Sequence, residues 1–344
     1  MKKATYILLA LVVLVIGAVL GFSWLRDNKL PNFRKQAEIY VYPETTADEV
    51  FEMIADKAAV LSRRSLERTF RSKKVAEYLT PGHYTVSPSD ASVYVARMLN
   101  NGWQTPVRLS LTGNLRIKSN IAAKIASQLL LDSATVHNAL NDERLLADYG
   151  FTPRTVFSLL MPDTYDIYWT STMVDVLDRQ KAAWDAFWTP DNEAKAKALH
   201  LTRQQVSTLA SIVKGESNHE PEMPKIAGVY LNRLKVGMPL QADPTIAFCF
   251  DYKLNRILNR HLTVDSAYNT YIHAGLPPGP ICVPTRAALE AVLNPDFGGT
   301  WGNGNFYFCA NPDFSGTHVF ARTLADHNRN AEAFRAELNR RSRK

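Results

Sequence analysis

The residues best placed to do chemistry lie between 202 and 284, and the first of them is a single acid. From Thr202, which with Gln205 makes a capping-box pattern, Val206, Leu209 and Val213 recur at steps of three and four. The next position on that stripe is Glu216. The spacing predicts a helix that ends near Glu216 and turns its carboxylate inward or into a cleft. Burial disfavours the charged form of an acid and the negative end of the helix dipole adds to the effect, so the pKa of Glu216 is expected to be raised. A raised pKa suits a general acid near neutral pH. Gly215 beside it removes a side chain and lets another part of the chain or a substrate approach closely. The competing reading of this stretch is a helix-end glutamate turned out to solvent.

A second helix, PKIAGVYLNRLKVGM (224–238), follows with Ile226, Val229, Leu231 and Leu234 apolar and Gly237 at its stop; it presents Asn232 and Arg233. PLQADPTIAF (239–248) is expected to hold Gln241 and Asp243 on an extended segment before a proline, lining a cleft. AYNTYIHAGLPPGPICVP (267–284) carries Tyr268, Asn269 and Tyr271 and then a stiff turn of prolines and glycines. Aromatic and amide side chains on a stiff loop suit a carbohydrate groove, where rings pack on sugar faces and amides bond hydroxyls. Cys249, Cys282 and Cys309 have no CxxC spacing, and His219–Glu220 lacks the HExxH frame, so neither a disulfide framework nor a metal site is indicated.

The elements that must position these groups belong to a chain long enough for two or three domains, 344 residues with 46% hydrophobic side chains. Residues 4–25 carry no charge over a length that spans a hydrocarbon core, and the run ends in Phe22, Trp24 and Leu25 rather than in a small-residue cleavage site; it reads as a transmembrane helix behind a cytoplasmic tail of residues 1–3. Lys2 and Lys3 before it are outnumbered by Arg26, Lys29, Arg34 and Lys35 after it, yet a long C-terminal region translocates largely regardless of local charge, so the bulk of the protein is expected outside the cytoplasm. Two strand–helix patterns, Ile39 to Ala58 and Tyr84 to Gly102, with a third strand behind them, predict a small α+β module. Residues 119–150 read as helices without a catalytic pattern, and a charged helix ends the chain in a basic cluster that reads as a solvated face. Lys and Arg number 40 against 33 Asp and Glu, a net charge of +7 too thinly spread to single out an anionic partner.

Five stretches in order, MPDTYDIY (161–168), LASIVKGES (209–217), VYLNRLKVGMPLQADPT (229–245), YNTYIHAGLPPGPI (268–281) and NFYFCANPDFSGTHVFARTLADHN (305–328), resemble the YceG-like family of endolytic murein transglycosylases. The resemblance implies an α+β protein: a transmembrane helix at 4–25, a LysM-like module at 37–104, a helical connecting region at 105–155 and a YceG-like catalytic domain at 156–344. It implies a single-pass inner-membrane protein with its catalytic domain on the extracytoplasmic side, acting on peptidoglycan strands in the company of cell-wall synthases or division proteins. No cofactor, metal or nucleic-acid partner is implied. The family's catalytic acid lies in a stretch with two glutamates; here Lys214 replaces the first, and Glu216 matches the catalytic position. Lys214 would lower the pKa of Glu216 if it faced it, but residues two apart on a helix do not. Gln241 and Asn269 are expected to bond acetamido and hydroxyl groups, Tyr268 or Tyr271 to pack on a ring, and Asn232 to lie in the same groove. If Asp243 stood across from Glu216 it could activate water, giving a lysozyme-like hydrolase; a non-catalytic murein-binding scaffold is the reading from another class.

Overall fold

A computed structural model describes residues 2–342, so Met1, Arg343 and Lys344 lie outside the described residues, and with them parts of the expected cytoplasmic tail and terminal basic cluster. The chain divides into two compact units. The first holds the residues up to Leu109 with Gln128–Leu130 and Asp166–Ser171; the second holds Ser110–Ser127, Leu131–Tyr165 and the residues from Thr172 onward.

In the first unit α1 (Lys2–Asn28) is one helix, long and apolar enough to cross a membrane. β1 (Ala37–Val41), α2 (Ala47–Lys57), α3 (Arg63–Ser72), α4 (Val75–Tyr78), β2 (Gly82–Val86), α5 (Ser92–Asn101) and β3 (Val107–Ser110) follow. The two strand–helix repeats are present. Their strands β1 and β2 pair antiparallel, Ile39 opposite Tyr84. Alternation along β1 buries Ala37, Ile39 and Val41, which pack with Val50 and Ile54 of α2 and with Leu66 and Leu99 into one core. α2 starts on a complete capping box, Thr46 with Glu49, and α5 stops at Gly102, whose φ of 62° is the left-handed conformation that a helix C-terminus favours. The sequence pattern did not mark α3, because Leu66 and Phe70 are its only apolar residues. The C-terminal end of α1 is fastened within this unit, Asp27 accepting from Arg68 at 2.7 Å and from Ser65 Oγ at 2.6 Å.

The second unit opens with short helices α6 (Lys118–Ala126), α7 (Ser133–Ala139), α8 (Glu143–Asp148) and α9 (Val156–Leu159), and β4 (Thr164–Ile167) runs at its border. Its body is α10 (Met173–Phe187), α11 (Pro190–Ala198), α12 (Arg203–Glu216), α13 (Met223–Lys235), α14 (Asp243–Cys249) and α15 (Arg286–Leu293), closed by the hairpin β5 (Tyr307–Ala310) and β6 (His318–Ala321) and by α16 (Leu324–Ser342). α12, α13 and α15 pack on one another through Leu209, Ile212, Val213, Ile226, Val229, Ala288 and Val292, all inaccessible. Gly228 in mid-α13 allows this unit's loop at 296–297 to lie on the helix, since a Cβ there would fall 2.0 Å from the Asp296 carbonyl oxygen.

Candidate active site

α12 carries the capping box Thr202–Gln205 and ends on Glu216, with Val206, Leu209 and Val213 buried along the stripe that leads to it. The acid faces a cleft of about 340 Å³ lined by Tyr230, Arg233, Gln241, Asp243, Tyr271, Tyr307 and His327. Gly215 explains how the cleft closes around it. A Cβ there would lie 2.6 Å from Pro244, so only glycine lets the start of α14, with Asp243, come up against the end of α12.

Asp243 does not sit on an extended segment as its sequence suggested. It opens α14, because Pro244 fits the first turn of a helix, where its missing N–H is no loss. Ala242 before it is extended, and Gln241 has φ 49°, a left-handed conformation that costs energy in a residue other than glycine and clusters at functional sites. Thr270 holds the segment in place. Its carbonyl accepts from Gln241 N at 3.0 Å, its hydroxyl accepts from Ala242 N at 3.0 Å, and it bonds Thr245 Oγ1 at 2.9 Å.

Two α13 residues one helical turn apart complete the surroundings of the acid. Tyr230 donates its hydroxyl to Glu216 Oε1. Arg233, 8% exposed, donates from Nε to the Phe306 carbonyl at 2.7 Å and from Nη1 to the Leu240 carbonyl at 2.6 Å, tying β5 and the 240–243 segment to α13. Burial pushes Glu216 up to about 7; the Tyr230 hydrogen bond pulls the other way, Asp243 pushes it further up, and Arg233 draws it down. Burial dominates, as expected for a carboxyl with few charged neighbours in a cleft. Lys214 turns aside, bonding Asn218 Oδ1 at 2.5 Å.

Tyr271 reaches the cleft and donates its hydroxyl to Asp243 Oδ1 at 2.6 Å. The other expected contacts lie elsewhere, for reasons visible in their partners. Asn232 is inaccessible. Its Nδ2 donates to the Phe297 carbonyl at 3.1 Å and the Asn305 carbonyl at 2.8 Å, and its Oδ1 accepts from Gly302 N at 2.7 Å, so it pins the 297–305 loop rather than meeting a ligand. Asn269 is inaccessible as well, its Nδ2 spent on the Leu262 and Val264 carbonyls and its Oδ1 on Tyr271 N. It shapes the loop that presents Tyr271. Tyr268 packs on Phe248, ring centroids 4.6 Å apart, in another cavity.

A model of the YceG-like family matches residues 39–333. The chain belongs to that family. It is 26% identical over 312 residues to the endolytic murein transglycosylase of Bacillus subtilis (strain 168), covering 86% of this chain and 84% of that one. It is 26% identical over 368 residues to the endolytic murein transglycosylase of Streptococcus pneumoniae serotype 2, covering 96% of this chain but only 65% of the longer pneumococcal protein. The crystal structure of a YceG-like protein from Listeria monocytogenes matches with a TM-score of 0.55 at 23% identity, covering 86% of this chain and 99% of that one, a likeness of fold.

Four residues of this YceG-like cleft escaped the sequence reading. The sequence pattern gave Tyr230 no role, and Arg233 was noted on the same helix without one. Tyr307 and His327 come from β5 and α16, and stack on each other with centroids 5.4 Å apart. Arg233 lies over the Tyr307 ring at 5.5 Å. Burial holds His327 below the usual histidine range, aided by Arg233 and Arg335, which favours the neutral imidazole. Among the described residues no group of three or more His, Cys, Asp or Glu could hold a metal ion, and Cys249, Cys282 and Cys309 are free thiols.

Proposed function

We propose that this chain is an endolytic lytic transglycosylase that cleaves the bond between N-acetylmuramic acid and N-acetylglucosamine inside peptidoglycan strands. The observation that carries the reading is one acid, Glu216, raised to about 7 inside a cleft whose other carboxylate is engaged by Tyr271. A hydrolase of two carboxylates needs the second one to activate water or to attack the sugar. A lytic transglycosylase needs only one acid, because the muramic sugar supplies its own nucleophile.

Protonated Glu216 gives its proton to the glycosidic oxygen as the bond from C1 to that oxygen breaks, releasing the N-acetylglucosamine hydroxyl. The carboxylate left behind then takes the proton of the 6-hydroxyl while that oxygen bonds to C1, closing a 1,6-anhydro ring and restoring the acid. No water is consumed. Tyr230 holds Oε1, leaving Oε2 for the proton transfers, and Arg233 stabilises the carboxylate form between the two steps. Gln241 and Tyr271 serve as sugar contacts on the cleft wall.

α1 anchors the protein in the inner membrane with the residues that follow it on the extracytoplasmic side, and residues 37–104 act as a LysM-like module that holds murein. A C-terminal reporter active only in the cytoplasm should therefore be silent; activity there would refute the topology. The catalytic assignment is tested by Glu216→Gln in the full-length chain, which should remove nearly all strand cleavage while leaving strand binding intact. Retained cleavage would remove Glu216 from the reaction.

A further inference from the structure

α14 starts in the cleft with Asp243 and, after seven residues or roughly 10 Å of helix, ends against a second cavity of the same unit. That cavity, about 390 Å³, is walled by Phe157, Phe248, Tyr252 and Tyr268 and edged by Arg116, Lys118 and Arg154. The loop that brings Tyr271 to the cleft brings Tyr268 here three residues earlier, so the same two segments fix both sites.

Among the described residues none of the three cations meets a carboxylate. Arg116 lies 5.1 Å over the Tyr252 ring, Lys118 donates to Asn141 Oδ1 at 2.7 Å, and the Arg154 guanidinium makes no hydrogen bond or ion pair among the described residues. Asp251, the acid in the wall, is paired with Lys253 at 3.0 Å. Burial pulls Lys118 down to about 8, the mark of an ammonium held without a counter-charge. The backbone is strained at the same place. Asp251 and Tyr252 are consecutive non-glycine residues with φ of 52° and 57°, and the Tyr252 hydroxyl fastens the turn by donating to the Ile281 carbonyl at 2.6 Å. Strain held so firmly collects at ligand sites.

Aromatic rings offer an apolar face to a sugar, and guanidinium groups take carboxylates. We propose that this cavity is a second binding site for an anionic stretch of the glycan polymer, a sugar ring lying against Tyr268 and Phe248 and its carboxylate-bearing substituent at Arg116, Lys118 and Arg154. The inference rests on the murein reading above and adds to it a preference for long strands. A strand held here keeps its inner bonds at high effective concentration in the cleft, an advantage that an oligosaccharide too short to reach both sites lacks.

The test uses the full-length chain in detergent with Arg154→Gln and with Arg116→Gln/Arg154→Gln, none of which alters the cleft. On long strands the double variant should raise KM about tenfold at unchanged kcat, the single variant less, while short oligosaccharides are cut as before. Strands carrying peptide stems and strands stripped to the lactyl carboxylate, run in parallel, identify the source of the anion by which of them shows the loss. An unchanged KM on both kinds of long strand overturns the proposal. So does an equal fall in kcat on short and long substrates, which would mark a structural role. Should the unmutated chain cut no strand at all, the transglycosylase reading fails, and the cavity is still judged by sedimentation binding to long strands: weaker binding by the double variant upholds it, equal binding overturns it.

Discussion

Around Ile54, Leu66 and Leu99 in the first unit the buried side chains are apolar and interlocked, and the inaccessible Asn32 spends its amide on Ser62 and Ser92. Around Glu216 in the second unit a partly open cleft holds an acid raised to about 7, a left-handed glutamine that is exposed, and a histidine whose Nδ1 is buried without a partner. One region spends its residues on stability. The other holds groups that cost stability and are tolerated because the helices α12, α13 and α15 behind them are well packed, which is the usual bargain at a catalytic site.

The contrast is broken most severely at Glu216. Glu216→Gln should lower cleavage of soluble strands by about 10²–10⁴-fold, the span of general acid–base help. It should also stabilise the protein at high pH. The acid's pKa rises from 4.5 to about 7 on folding, so the folded state holds a proton through that window that the unfolded chain releases. The stability this gives is fully present below pH 4.5 and is lost as pH rises through about 7, whereas glutamine has nothing to lose. Thermal melts should therefore show the variant gaining on the unmutated chain between pH 5 and pH 8; a constant difference would contradict the raised pKa.

In the first unit the expected result is reversed. Leu66→Ala removes an inaccessible side chain from the core and should cost about 2–5 kcal/mol in denaturant unfolding of that unit, with kcat on soluble strands unchanged. A matching loss of kcat would show that the module belongs to the active site. Tyr230→Phe sharpens the comparison more gently. It deletes the hydroxyl that bonds Glu216, worth roughly a fivefold loss of rate for one hydrogen bond. Because that bond pulls the acid down, its loss should move the alkaline limb of the pH–rate profile to higher pH; movement to lower pH would contradict the assigned cause. Arg68→Ala, which breaks a half-exposed pair with Asp27, should cost at most about 1 kcal/mol and leave cleavage untouched.

What could be read from the sequence was what short-range periodicity dictates. The stripe Val206–Leu209–Val213 pointed at Glu216, Thr202 and Gln205 marked the start of α12, and alternation marked β1 and β2. The rest of the cleft depends on contacts that no local pattern records. Tyr307 and His327 join Glu216 from about a hundred residues downstream, and β5 and β6 gave no alternating signal because their faces are only half-buried. Asn232 and Asn269 show a different limit. An amide that serves backbone carbonyls and one that serves a ligand have the same letter, and only the partners tell them apart. Asp243 was misplaced because a residue before proline is biased toward extended backbone, a bias that the helix-start position of Pro244 overrode.

The central claim is that one acid suffices because the substrate supplies its own nucleophile. It is tested most directly by mass spectrometry of the products that the full-length chain releases from purified glycan strands. The account predicts internal fragments ending in 1,6-anhydro-N-acetylmuramic acid, each lighter by one water than a hydrolytic end, with Asp243→Asn far less damaging than Glu216→Gln. Free reducing ends, with Asp243 as indispensable as Glu216, would contradict it and make this cleft a two-carboxylate hydrolase.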